Sequence, residues 1–242
     1  MFYQSDNIYT ALGAMTYLDN AASVDCMNVG LKDYFEVSKE IIKESRYCFY
    51  VEDDKLLGYG VWGTDKTKPD HLCAPWGHKD VISLKIRNEA EGLANALSIQ
   101  DTDGVLNLIG CAVELCSVSD YHSDQDVAIW IDEDFLPPVR HGQAKLYTDM
   151  AGKPIGLFTW AWLSDELFQA VVYSDYDLEE DEWNCGKNMY VHDLIAPHGS
   201  VRKLVYDMTH NVFPDEIAVS LRRNSDGSVR RVNCWTGVNV RN

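Results

Sequence analysis

Residues 55–62 read KLLGYGVW and residues 153–160 read KPIGLFTW, and each run opens on lysine, has glycine fourth and closes on tryptophan. Apolar residues fill most of the remaining places, as in the second strand of a hairpin whose glycine permits close approach or a bulge. A first strand precedes each run, YCFYVEDD in one case and AKLYTDMAG in the other. The spacing of other anchors follows suit: Gly13 and Gly110 are 97 residues apart, Tyr50 and Tyr147 are 97 apart, and Trp62 and Trp160 are 98 apart. Three anchors in one order imply duplication of an α/β unit in which a helix feeds a hairpin. The fold class is therefore α/β, duplicated in tandem, with the N-terminal copy shortened.

Working outward, YTALGAMTYL is an apolar helix or strand, and LKDYFEVSKEIIKESR puts Leu31, Tyr34, Phe35, Val37, Ile41 and Ile42 close to helical spacing, with charged residues between them. GTDKTKPDHLCAPWGHKD is a loop rich in turn formers, and ISLKIRNEAEGLANALSIQ is helical. IGCAVELCSVSDYH opens the second copy, and VAIWIDEDFLPPVRHG connects it to the hairpin. SDELFQAVV leads to the acidic loop YSDYDLEEDEWNCGKN and then to the strand MYVHDLI. A helix over SVRKLVYDMTHNVF and a terminal hairpin over PDEIAVSLRR and SVRRVNCW complete the chain. A boundary near residues 99–105 divides it into a half at 1–100 and a half at 105–242.

The 242 residues are 46% hydrophobic, ample for a packed core, and no apolar run reaches the roughly 18 residues of a membrane span. MFYQSDNIYT lacks the basic and apolar regions of a signal peptide, which points to the cytoplasm. Seven scattered cysteines suit free, buried thiols in a reducing compartment. A net charge of −17 disfavours nucleic acid and anionic membranes, and residues 101–242 carry 23 acidic against 11 basic groups. LRRNSDGSVRR reverses that sign locally, so Arg222, Arg223, Arg230 and Arg231 either meet an anion or form a solvated hairpin surface.

The seven histidines make no HExxH or other strong metal spacing, DLEEDE lacks the alternation and glycine of an EF-hand, and no dinucleotide or P-loop fingerprint is present. Histidine is then the natural general base. His122, in SDYHSD just beyond an apolar element, either faces a cleft or caps a helix. Asp193 ends a strand before the Pro197–Gly199 turn and either caps that turn or orients an imidazole. Strict strand alternation would put His192 and Asp193 on opposite faces, so they are not expected to pair. His198 fills the turn or lines a pocket.

Taken in order, IG, Ser119 with His122, GLFTWAWLS, YVHDLIAPHG, Met208 and VFPDEIAVSLR resemble the RTX toxin-activating, or haemolysin-activating, lysine acyltransferase family over about residues 108–237. DLIAPHG is similar to that family's D-W-I-A-P-F-G, and FPDEIAVSLR to its F-P-D-E-L stretch. The resemblance implies a GNAT-like acyltransferase fold and transfer of a fatty acyl group from an acyl carrier protein thioester to a lysine side chain of a protein. His122 and Asp193 carry the family's catalytic positions. Ser119, Ala196, His198 and Gly199 are expected at the substrate, where backbone N–H groups of the 196–199 turn could face the thioester oxygen. Arg222 and Arg223, with Lys187, Arg202 and Lys203, form the candidate docking patch for the acidic carrier.

No tightly bound cofactor and no metal are expected, and an acyl-histidine intermediate is an alternative to direct attack. An acyl coenzyme A donor, or a catalytically altered protein-binding module, are the alternative functions. The family's proline and basic residue around the histidine are replaced here by Asp120 and Ser123. LGAMTYLDNAASVDCMN resembles the domain opening again, with Asp25 at the place of His122, so residues 1–100 are expected to be a non-catalytic copy. It would stand in for a second subunit, giving an internal pseudo-dimer that can be monomeric.

Overall fold

The computed structural model describes residues 2–22, 29–52, 55–63, 69–73, 97–98, 104–174, 176–224 and 226–240. Its contacts divide the chain into two compact units, Met1–Glu114 with Asp126–Ala128, and Leu115–Gln125 with Ile129–Asn242. Each unit carries a sheet that is five-stranded among the described residues, so the protein is mixed α/β.

In the first unit the sheet order is β4-β3-β2-β1-β5, with β1 Phe2–Gln4, β2 Tyr47–Glu52, β3 Lys55–Trp62, β4 Pro69–Cys73 and β5 Leu97–Ser98. The hairpin expected over 47–62 is β2–β3. YTALGAMTYL resolves as helix: α1 spans Ile8–Ala21 and starts at Asn7, whose side chain accepts from Tyr9 N and Thr10 N. Helix α2, Leu31–Lys43, buries Leu31, Phe35, Ser38 and Ile42 on one stripe. Of the helix expected over 82–100, residues 97–98 are strand β5, paired parallel to β1, and the rest lies outside the described residues. Asp25 and most of the loop after Trp62 also lie outside them. Buried Asp19 is satisfied by phenols: Tyr59 donates to both of its oxygens at 2.8–2.9 Å, and Tyr34 to Oδ2 at 2.9 Å.

Helix α3, Val105–Ser117, crosses α1 at glycines. A Cβ on Gly13 would lie 1.7 Å from Leu106 O, and one on Gly110 would lie 1.9 Å from Tyr9 O, so only glycine fits at either place. These two contacts are mates of each other, because both 9 to 106 and 13 to 110 are steps of 97 residues. A second contact has the same reciprocity: Gly30 bridges antiparallel to Asp126, and Val127 N donates to Val29 O at 3.3 Å.

The second unit has the order β10-β9-β8-β7-β6, with β6 Ala144–Thr148, β7 Pro154–Leu163, β8 Asn188–Ile195, β9 Ile217–Arg223 and β10 Val229–Thr236. Its pairs are antiparallel except β8 with β9, which run parallel. That parallel step needs a crossover, supplied by Val201–Asp207 and the π-turn Met208–Val212. The segment VAIWIDEDFLPPVR, expected as a connection, is helical throughout: an α-turn at Val127–Ile129, a π-turn at Trp130–Phe135 and an α-turn at Leu136–Arg140. Its apolar residues Trp130, Ile131, Phe135 and Leu136 are buried, which explains why this acidic-looking segment folds inward. Phe158, Met189, Val191, Met208, Phe213 and Ala218 form one core cluster beneath the sheet. Ala161, Leu163, Val171, Val172, Trp183 and Tyr190 form another.

Candidate active site

The site is built where two regular elements each hold one residue too many. On β8, Leu194 pairs with Phe158 and Val191 with Trp160, so His192 and Asp193 together oppose Thr159 alone. This β-bulge would strand a main-chain donor, and the Thr159 hydroxyl accepts it: Asp193 N lies 3.1 Å from Thr159 Oγ1. Strict alternation therefore fails at the functional pair. Asp193 and His192 both reach the Trp130–Phe135 turn, Asp193 beside the Trp130 indole and His192 at Asp134.

His122 comes from the other direction. Helix α3 ends at Ser117, and the polar run after it closes a tight turn in which His122 N donates to Ser119 O at 3.2 Å. That turn brings residues three apart together, and Ser119 Oγ lies 2.9 Å from His122 Nδ1. The other ring nitrogen, Nε2, lies 3.0 Å from Asp193 Oδ1. Tyr121 and Trp130 meet the imidazole edge-on, at 4.8 and 6.4 Å between centroids. Side chains of His122 and Asp193 are only 8% and 9% exposed, so their interaction is little screened.

Burial alone would push the Asp193 carboxyl up, yet its pKa is held below the ordinary carboxylate value. The charge and hydrogen bond of His122 pull it down, aided by His192 and the Trp130 indole. An ionised Asp193 can only accept, so Nε2 carries the hydrogen between them, and when the ring is neutral Nδ1 is the acceptor for the Ser119 hydroxyl. Asp193 Oδ2 and Trp130 Nε1 are buried without a hydrogen-bond partner. The indole therefore helps keep the carboxylate ionised by its dipole rather than by a formed bond. Oδ2 remains a buried acceptor.

The structure brings together Ser119, His122 and Asp193. His198 is exposed in the turn, and Gly199, at φ +80°, donates its N–H to Ala196 O at 3.3 Å, so that donor is used in closing the turn. Arg222 is exposed on β9, whereas Arg223 is half-buried, donates to Gly227 O at 2.9 Å and bears electrostatically on Tyr190 and His192. Thr159, Trp130 and Asp134 were not singled out from sequence. Only the register of β7 against β8 reveals Thr159, and only the π-turn reveals the other two. Among the described residues no group of three or more His, Cys, Asp or Glu could hold a metal ion, and no helix is long and apolar enough to cross a membrane.

A buried imidazole held between a strand's carboxylate and a hydroxyl is an arrangement that can take up and return a proton. The family described as the RTX toxin acyltransferase family matches residues 102–236, and the chain belongs to it. It is an acyltransferase. An uncharacterized protein of Synechocystis is 31% identical over 135 residues, covering 55% of this chain and 91% of that protein. The lysine-acyltransferase RtxC of Vibrio cholerae is 28% identical over 109 residues, 45% of this chain and 71% of the relative. The RTX-II toxin-activating lysine-acyltransferase ApxIIC of Actinobacillus pleuropneumoniae is 29% identical over 116 residues, 48% and 71% of the two chains.

Proposed function

We propose that the chain transfers a fatty acyl group from an acyl carrier protein thioester to the side-chain amine of a lysine in a protein, in the manner that activates a toxin. One observation carries this: a buried imidazole held at both nitrogens, by Ser119 at 2.9 Å and Asp193 at 3.0 Å. The names of the relatives as lysine-acyltransferases support it.

A lysine ammonium cannot attack until it loses a proton, and the only lone pair on His122 is at Nδ1, behind the Ser119 hydroxyl. The ammonium first gives one proton to solvent, and as the neutral amine attacks, a second proton passes from its nitrogen through that hydroxyl to Nδ1. The C–N bond then forms as the C–S bond breaks, the carrier leaves as thiolate, and the imidazolium left on His122 is stabilised by Asp193. The thiolate takes up that proton and resets the site. An acyl-histidine intermediate needs a ring nitrogen open to the thioester, and both are engaged, which favours direct attack. Docking of an acidic carrier falls to the exposed Lys187, Arg202, Lys203, Arg222, Arg230 and Arg231. Acyl coenzyme A is the alternative donor.

We also infer a GNAT-like fold duplicated in tandem, with residues 1–100 a non-catalytic copy and 105–242 the catalytic one. The reciprocal contacts between Gly13 and Gly110, and between 29–30 and 126–127, support that reading, since two copies related by a twofold would make both. The chain would then be monomeric, its partner surface supplied internally. Intact mass of candidate lysine proteins after incubation with acyl carrier protein or coenzyme A thioesters tests the activity. Acyl addition that disappears in His122→Ala and Asp193→Asn is expected. Transfer undiminished in both variants removes these residues from the mechanism.

A further inference from the structure

A second imidazole–carboxylate pair sits beside the first. His192 Nε2 lies 3.1 Å from Asp134 Oδ1, and the His192 ring is held edge-on by Trp183 at 4.9 Å and Tyr190 at 6.1 Å. The bulge makes His192 and Asp193 neighbours toward the same π-turn, where Trp130 touches the first pair and Asp134 forms the second. The two pairs differ in access: the side chains of His192 and Asp134 are 23% and 36% exposed, against 8% and 9% for His122 and Asp193. The outer pair can therefore exchange protons with solvent while the inner one is shielded. Acyl transfer by His122 as proposed above gives His192 no role, so it is an ionisable group in the site without a function.

We propose that His192, clamped by Asp134, is a positioning residue that sets the charge around the catalytic pair: its imidazolium holds Asp193 as a carboxylate and disfavours adding a proton to the His122–Asp193 couple. The charged and titratable groups facing His192 fit this. Asp134 faces it from the π-turn, Arg223 from β9, and Asp193 and Tyr190 flank it on β8. Burial and the Arg223 charge act to lower the His192 pKa, but the Asp134 hydrogen bond and the charges of Asp193 and Asp134 outweigh them and hold the group above the ordinary imidazole value. His192 is in turn among the groups that hold the Asp193 carboxyl down. Protonation of the inner couple is thus opposed by a cation that solvent keeps supplied.

This inference rests on His122 and Asp193 acting in acyl transfer, and the test separates the two. The pH dependence of kcat/KM is measured for the unmodified enzyme, His192→Gln and His192→Lys. The acid limb, which reports the inner couple as a unit, is expected to move up in His192→Gln by on the order of half to one pH unit. It should return to the wild-type position or below in His192→Lys, which restores the charge. A uniform fall in kcat/KM at every pH, with the limb fixed, overturns the inference and leaves His192 a structural residue. The second readout needs neither activity nor a variant that folds: the 13C carboxyl signal of Asp193 in the unmodified protein. A second inflection at the His192 titration is expected, and a signal blind to His192 overturns the proposal. If that inflection appears but no thioester yields acyl transfer, the coupling stands and the acyl-transfer role of the pair falls.

Discussion

Replacing Gly110 with alanine tests the crossing of α1 and α3. The new Cβ would lie 1.9 Å from the main-chain oxygen of Tyr9, whereas ordinary contact begins at 3.4 Å, so α1 and α3 must part by about 1.5 Å. The obstacle is backbone and cannot turn aside as a side chain would. Overpacking of this kind costs about 1–3 kcal/mol. Alanine also favours the helix over glycine by about 1 kcal/mol, an effect that would show alone if the helices did not touch. The sign is therefore decisive. A net loss of up to about 2 kcal/mol should lower Tm by up to about 8 °C in a chain of this size, read by circular dichroism or calorimetry. Because Ser119 and His122 follow directly on α3, a displaced helix should also lower acyl transfer, by up to about a hundredfold for a shift near 1 Å. Gly13→Ala, whose Cβ would lie 1.7 Å from Leu106 O, should behave alike, and the double variant should lose less than the sum. An increase in Tm for either single variant refutes the crossing.

Ser119→Ala removes the hydroxyl at His122 Nδ1 and should lower kcat/KM about tenfold or more, with the urea midpoint within about 1 kcal/mol of wild type. Because the Asp193 pKa is depressed, the unfolded chain takes up that proton first as pH falls. Its contribution to stability is present above the ordinary value of 3.8 and is lost as pH drops from there through the folded value, so Asp193→Asn should flatten the pH dependence of urea midpoints in that acid window. Burial pushes the Cys111 thiol up to about 12 and Cys116 well above its usual value, whereas Cys185 and Cys234 are exposed. Peptide mapping after brief iodoacetamide treatment should find Cys185 and Cys234 modified and Cys111 and Cys116 protected.

Much of the fold follows from periodicity. The helix over 31–43 and the hairpin around KLLGYGVW are local patterns and form where the spacing puts them, although of the helix's apolar residues only Leu31, Phe35 and Ile42 are buried and Val37 is exposed. Segments whose order depends on partners far away in the chain were less legible. WIDED looks like a solvated acidic link until Trp130, Ile131 and Phe135 are seen packed inside, and Leu97–Ser98 takes strand pairing from β1 rather than continuing a helix. In the site, position after an apolar element left His122 and Asp193 each with two readings, and it was the family resemblance of SDYHSD and DLIAPHG that singled them out. Their contact across 71 residues and the brace from Ser119 could not be derived from spacing. His192 and Asp193 do not pair with each other, as alternation implied, yet both meet the Trp130–Phe135 turn because the strand is irregular at that point.

The bulge in β8 and the π-turn at Trp130–Phe135 have a consequence for how the protein can vary. Each is a single surplus residue, one in a two-residue repeat and the other in a 3.6-residue repeat, and both surpluses serve the same cluster of side chains. Substitutions nearby change one side chain at a time. Removing one residue from either element instead resets the phase of everything beyond it, turning Asp193 away from His122 or Asp134 away from His192. Chain length through these two short stretches is therefore a stricter condition on activity than most of the side chains they contain.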